Sequence, residues 1–320
     1  MKKLLILLTV IGVFALGVFI FYHEGSLPVN KVSKESQIFI INPGEGLNSI
    51  ARRLSTEELI RSRIVFYLTV KQLGIEKQIQ AGDFRLSKSM SASQLAEELT
   101  HGTLDEWVQI IEGLRKEEIA EVVTKKFNFT ETEFNALAKE GYLFPDTYLI
   151  PKQATASFIV DYLTNTFDSK YTAEFQKKAQ KLKLTKDQVV TLASIVEREA
   201  RSKEAKNQVA SILLHRLDEK MPLQVDATIQ YALGYQQDEN SWWKRHLTLA
   251  DLKLDSPYNT YVNEGLPPGP ICSPGIDAIE AVVNGDPSTP YLFYITGNDN
   301  KMHYAKTGDE HQKNVEKYLR

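Results

Sequence analysis

The sequence predicts an α+β protein: an N-terminal transmembrane helix, a small βα domain, and a larger mixed α/β region that carries an acid on a helix. Three observations predict it. Leu4 to Tyr22 is nineteen residues without a charge; strand-turn-helix phrases follow; and a helical apolar stripe near residue 190 is flanked by two glutamates.

At about 1.5 Å per residue the uncharged run is long enough to span a bilayer. Ala15-Leu16-Gly17 offers a small-residue cleavage site, but Val18-Phe19-Ile20-Phe21-Tyr22 carries the apolar run past it, which favours a retained anchor over a signal peptide. Lys2 and Lys3 hold the N-terminus in the cytoplasm, and Tyr22 suits the interface. The expected organisation is a cytoplasmic tail at 1–3, a membrane anchor at 4–22, a polar linker at 23–36, a βα domain at 37–105, and a region at 106–320 whose core is 183–320. A net charge of −3 provides no basic field for nucleic acid. The single cysteine, Cys272, excludes an internal disulfide framework and a zinc or redox pattern, so no metal or cofactor is expected.

After the linker, Gln37 to Ile41 reads as a strand, Pro43-Gly44 as a turn and Leu47 to Ala51 as an amphipathic helix. The phrase recurs loosely at Gly82–Leu99 and at Val108–Ala120, with unequal spacing. The first copy resembles a LysM glycan-binding motif. Residues 141–151 form an aromatic, proline-punctuated connector, and residues 154–182 read as helices with lysine-rich solvated faces.

Thr185-Lys186-Asp187-Gln188 is a capping box that starts the next helix. In it Glu197 and Glu199 fall on opposite flanks of the buried stripe, about 200° apart around the axis, so the helix can aim only one carboxyl at a given substrate atom. Near the helix C-terminus, the macrodipole and desolvation both disfavour ionisation and raise a carboxyl's pKa, as a general acid requires. Periodicity alone is equally met by a rim glutamate covering the core edge with its methylenes.

Ser202 caps a further helix, and Asp226 is placed to cap a short one that Gly234 ends. Alternatively, the strand-to-helix junction presents Gln224, Asp226 and Thr228 as polar groups for a ligand. The proline-rich stretch from Ser256 to Gly275 is a rigid loop whose Tyr, Asn and Thr residues can form the wall of a cleft opposite Glu197, or serve structure alone. Ser273 caps the helix that runs to Asn284, and Tyr291–Thr296 with Met302–Lys306 forms a hairpin.

Leu192-Ala193-Ser194-Ile195-Val196-Glu197-Arg198-Glu199, Leu223-Gln224-Val225-Asp226-Ala227-Thr228, Tyr258-Asn259-Thr260-Tyr261, Gly265-Leu266-Pro267-Pro268-Gly269-Pro270-Ile271 and Pro290-Tyr291-Leu292-Phe293-Tyr294, in that order, resemble the bacterial endolytic murein transglycosylases of the YceG-like family. The resemblance covers nearly the whole chain. It departs at His215, where asparagine is common before the arginine, and at Val225, where a polar residue is common. It implies a lyase that cuts the bond between N-acetylmuramic acid and N-acetylglucosamine, leaves 1,6-anhydro ends and terminates strand elongation. Glu197 is then the catalytic acid, with Glu199, Arg216, Gln224, Asp226, Thr228, Tyr258, Asn259, Thr260, Tyr261 and Ser273 binding substrate or supporting the site. Implied partners are peptidoglycan glycan strands, the cytoplasmic membrane through residues 4–22, and cell-wall synthesis proteins. A binding scaffold without activity and a muramidase using Asp226 to activate water are the alternatives.

Overall fold

The computed structural model describes residues 2–42, 44–100 and 105–319. Met1 of the expected tail, Pro43 of the expected turn, residues 101–104 and Arg320 lie outside the described residues. The chain is mixed α/β and divides into two compact units, residues 1–106 with 149–152, and residues 107–148 with 153–320. Its described strands form three two-stranded sheets.

The first unit begins with α1 (Lys2–Ser26), the one helix among the described residues long and apolar enough to cross a membrane. From Val10 to Phe21 its apolar side chains are open to the surroundings, Phe14 at 74%. The helix runs past Tyr22 through Ser26, so residues 23–26, expected in the linker, are helical. The reason is packing. The Tyr22 hydroxyl bonds to Gln72, and Gly25 sits so close to Val65 that an added Cβ would lie 2.5 Å from a Val65 methyl.

β1 (Ser36–Ile41) is followed by α2 (Leu47–Thr56), α3 (Arg63–Leu73), β2 (Gly82–Ser87) and α4 (Ala92–Glu98). β1 and β2 pair antiparallel with Phe39 opposite Phe84, and these rings meet Ile50, Leu54, Phe66 and Leu95 in one core. The alternating strand pattern and helical 3.6-residue pattern put those side chains on the facing surfaces. Ser62 caps α3, and Ser91 with Gln94 forms a complete capping box on α4.

After β3 (Asp105–Gln109) come α5 (Lys116–Thr124), α6 (Glu131–Leu137), β4 (Thr147–Pro151), α7 (Ala156–Lys170) and α8 (Ala173–Lys181). The core of the second unit is α9 (Lys186–Glu199) packed against α10 (Lys203–Asp218), followed by α11 (Asp226–Leu233) and α12 (Ile276–Val283). The Thr185–Gln188 capping box opens α9, and the Ser202 hydroxyl accepts the Ala205 N–H at the start of α10. Val189 to Val196 are all buried; Leu192, Ile195 and Val196 meet Val209 and Leu213 of α10 and Ile279 and Val282 of α12. β5 (Phe293–Thr296) and β6 (Met302–Ala305) form the hairpin, and α13 (Gly308–Tyr318) closes the chain.

Candidate active site

Two residues apart on α9, the two glutamates have different surroundings. Glu197 is paired. Its Oε1 accepts the Lys206 ammonium at 2.7 Å, and its Oε2 accepts the Gly275 N–H at 3.0 Å, at the positive N-terminal end of α12. Lys206 is itself buried, and Glu112 approaches it at 3.5 Å. The Glu112 carboxylate fills the space a side chain at 275 would need: a Cβ there would sit 1.8 Å from its Oε1. Burial lifts the Glu197 carboxyl above its ordinary range, opposed by the hydrogen bond and charge of Lys206 and by the Gly275 N–H. Glu197 thus joins α9, α10 and α12 through this ion pair and hydrogen bond, with burial favouring its protonated form and Lys206 its ionised one.

Glu199 opens instead into a cavity of about 370 Å³, lined also by Arg216, Leu223, Gln224, Asp226, Tyr261, Phe293, Tyr294, Ile295 and His311. Burial pushes its carboxyl up to about 7; the negative charge of Asp226 adds to this, while a Tyr294 hydrogen bond and Arg198 oppose it. Burial also holds the Tyr294 hydroxyl protonated well beyond its ordinary range. Arg198, between the two acids, lies on the outer face with its guanidinium 3.7 Å from the Trp243 ring centroid.

Gln224 adopts a left-handed φ of 52°, with its N–H donating to the Thr260 carbonyl. Asp226 is the first residue of α11 rather than its cap, because Val225 takes the cap position with its N–H held by the Thr260 hydroxyl at 3.0 Å. Free of that duty, the Asp226 carboxylate accepts the Tyr261 hydroxyl at 2.6 Å. Arg216 donates to the carbonyls of Leu292 and Leu223, both at 2.7 Å, binding the hairpin to the strand-like segment before α11.

The other expected site residues lie inside the fold. Thr228 and Thr260 are buried with their hydroxyls 2.9 Å apart. Asn259 is fully buried; its amide donates to the carbonyls of Leu252 and Leu254 and its oxygen accepts the Tyr261 N–H, so it shapes the loop from within. Tyr258 packs on Tyr231 with ring centroids 4.8 Å apart. Ser273 does not cap α12; Gly275 does. Its backbone pairs with Gly113 and Leu114, and its buried hydroxyl has no partner among the described residues. The loop expected opposite Glu197 reaches the Glu199 cavity only through Tyr261. Its far end binds α9 directly, where the Ile271 N–H meets the Ser194 hydroxyl at 3.0 Å and the buried Cys272 thiol meets the Ser194 carbonyl at 3.2 Å.

Tyr294 and His311 were not among the expected site residues. Tyr294 stood in a quoted motif but in an alternating strand pattern that does not tell which face meets a cavity. His311 comes from α13, stacked on Phe293 at 5.3 Å, with a buried Nδ1 that has no partner among the described residues. No short motif announces it.

The YceG-like family matches residues 39–317. An endolytic murein transglycosylase of Bacillus subtilis is 31% identical over 336 residues, covering 95% of this chain and 90% of the relative. Another, from Streptococcus pneumoniae serotype 2, is 29% identical over 338 residues, covering 92% of this chain but only 61% of the relative's length. The crystal structure of a YceG-like protein from Listeria monocytogenes aligns with a TM-score of 0.58 and 28% identity, covering 88% of this chain and 99% of that one. The family match takes in every residue of the cavity, and on it the chain belongs to the YceG-like family.

Proposed function

We propose that this protein is a membrane-anchored endolytic murein transglycosylase whose general acid is Glu199, with Glu197, the acid the family resemblance names and whose carboxyl burial also lifts, as the alternative on the same helix. The observation that carries the reading is the cavity in which one carboxyl, pushed up to about 7, faces open space beside Tyr294, Asp226, Gln224 and Tyr261. A hydrolytic glycosidase generally needs two carboxyls flanking the bond. A lytic transglycosylase uses the muramoyl C6 hydroxyl as nucleophile and needs one. Protonated Glu199 gives its proton to the glycosidic oxygen as the C1–O bond breaks. The C6 hydroxyl then bonds to C1, and the Glu199 carboxylate takes its proton, leaving a 1,6-anhydro end with no water consumed. Tyr294 orients the carboxyl, and Asp226, held by Tyr261, contributes negative charge toward a cationic anomeric centre.

In this reading α1 is a single-pass anchor with the second unit outside the cytoplasm, supported by its apolar length and by Lys2 and Lys3 ahead of it. Residues 37–105 hold glycan in the manner of a LysM module, and cutting nascent strands terminates their elongation beside the synthesis proteins. The relatives' names support the activity. A muramidase reading draws on Asp226 lining the same cavity as Glu199, where it would activate water.

The test is mass spectrometry of uncrosslinked glycan strands after incubation with the full chain. Anhydromuramoyl ends that disappear in folded Glu199→Gln support the proposal, and ends that disappear in folded Glu197→Gln while Glu199→Gln still cuts assign the acid to Glu197; reducing ends assign a muramidase, and no cleavage assigns a binding scaffold.

A further inference from the structure

The first unit carries a groove that the proposed chemistry does not use. It lies between α2 and α3, has a volume of about 420 Å³, and is lined by Arg52, Arg63, Ile64, Tyr67 and Leu68 among others. Ile64 is 54% exposed and Leu68 47%. The guanidinium groups of Arg52 and Arg63 make no hydrogen bond or ion pair among the described residues, whereas neighbouring Arg53 is engaged by Glu45 and Glu57. Two unpaired cations over an apolar and aromatic floor match a ligand with a phosphate at one end and hydrocarbon at the other.

The position of α3 says where such a ligand would come from. α3 runs antiparallel to the end of α1: Tyr22 bonds to Gln72 at 2.8 Å, Gly25 abuts Val65, and Arg61 donates to the Pro28 carbonyl at 2.8 Å. At about 1.5 Å per residue, Ile64 to Leu68 therefore stand within about one helical turn of Tyr22 along α1. Tyr22 ends the uncharged run, so the groove lies at headgroup depth, where each interfacial layer is about 5–7 Å thick.

We infer that the α2–α3 groove seats an anionic phospholipid of the outer leaflet, with its phosphate between Arg52 and Arg63 and its glycerol and upper acyl carbons over Ile64, Tyr67 and Leu68. The inference rests on α1 being a membrane anchor. It gives the first unit a fixed, lipid-dependent seat on the bilayer.

Hydrogen exchange of the full chain tests it, in nanodiscs of phosphatidylcholine alone and of phosphatidylcholine with phosphatidylglycerol. Exchange over residues 63–68 should slow on the order of tenfold in the anionic discs. The double variant Arg52→Gln/Arg63→Gln should lose that slowing, while residues 4–22 stay protected in both discs. Equal exchange at 63–68 in the two lipids, with α1 protected, overturns the inference alone. Free exchange in α1 overturns the anchor reading and the inference with it. Slowing produced by soluble glycan strands in place of anionic lipid assigns the groove to sugar and also overturns it.

Discussion

Lys206 Nζ lies 2.7 Å from Glu197 Oε1, both side chains are almost wholly shielded from water, and the next acid on the same helix, Glu199, has no ammonium partner among the described residues. The ammonium favours the ionised form of Glu197 while burial opposes it, whereas burial at Glu199 acts with no such ammonium against it, so the two acids of α9 differ in what holds their protons.

Glu197→Gln should therefore lower stability, by up to about 3–5 kcal/mol, because it leaves a buried ammonium with only Glu112 beside it. Adding Lys206→Met should recover part of the loss by removing the stranded charge. Denaturant melts of the two variants check this; with Glu199 as the acid, turnover per folded molecule survives in both, and its loss from folded Glu197→Gln assigns the acid to Glu197.

Glu199→Gln should reduce anhydromuramoyl product by about 10²- to 10⁴-fold or more, since the amide can neither give the proton nor take one back. The fold should remain, because the change removes a carboxyl whose ionisation burial already disfavours. Product assay and melting temperature read out the two halves of this expectation.

Activity should fall as pH rises through about 7, where Glu199 loses the proton it must donate. Stability should move the same way. Its folded pKa lies above the ordinary value of 4.5, so the folded chain binds the proton more tightly, and the protonated state's advantage is lost as pH climbs from about 4.5 to about 7. Glu140, which burial also pushes up to about 7, contributes with the same sign. Glu199→Gln should remove on the order of 3 kcal/mol of this loss and leave the Glu140 part, as pH-dependent denaturation would show.

Tyr294→Phe removes the hydrogen bond that draws the Glu199 pKa down. The alkaline limb of the activity profile should shift upward by about one pH unit, with turnover reduced and the fold retained. An unshifted limb would limit Tyr294 to a packing role.

Asn259→Ala should act on stability, at a cost of about 1–3 kcal/mol, because the fully buried amide holds the Leu252 and Leu254 carbonyls and the Tyr261 N–H, and all three lose their partner. Thermal melts check this directly, and any fall in turnover should track the loss of folded protein.

The elements legible in the sequence were those with local signals. The Thr185–Gln188 box, the Ser202 cap, the Gly234 stop and the 293–305 hairpin all depend on residues a few positions apart. Helical periodicity also placed both acids on the flanks of α9. It could not tell their surroundings apart, because these are set by partners elsewhere: Lys206 on the next helix, and Gly275 and Glu112, which are distant in sequence. The same limit applied to Asp226, whose capping chemistry was displaced by Thr260 and Tyr261, and to Asn259, whose polar side chain on a proline-rich loop looked available to a ligand until the fold turned it inward.

The contact between Cys272 and Ser194 makes the protein report on its own integrity. The thiol is fully shielded, and burial pushes its pKa well above the ordinary range, so it stays unreactive while α9 keeps its seat. With one cysteine in the chain, the rate at which a thiol reagent labels the unmodified protein measures how often the ground beneath both glutamates opens.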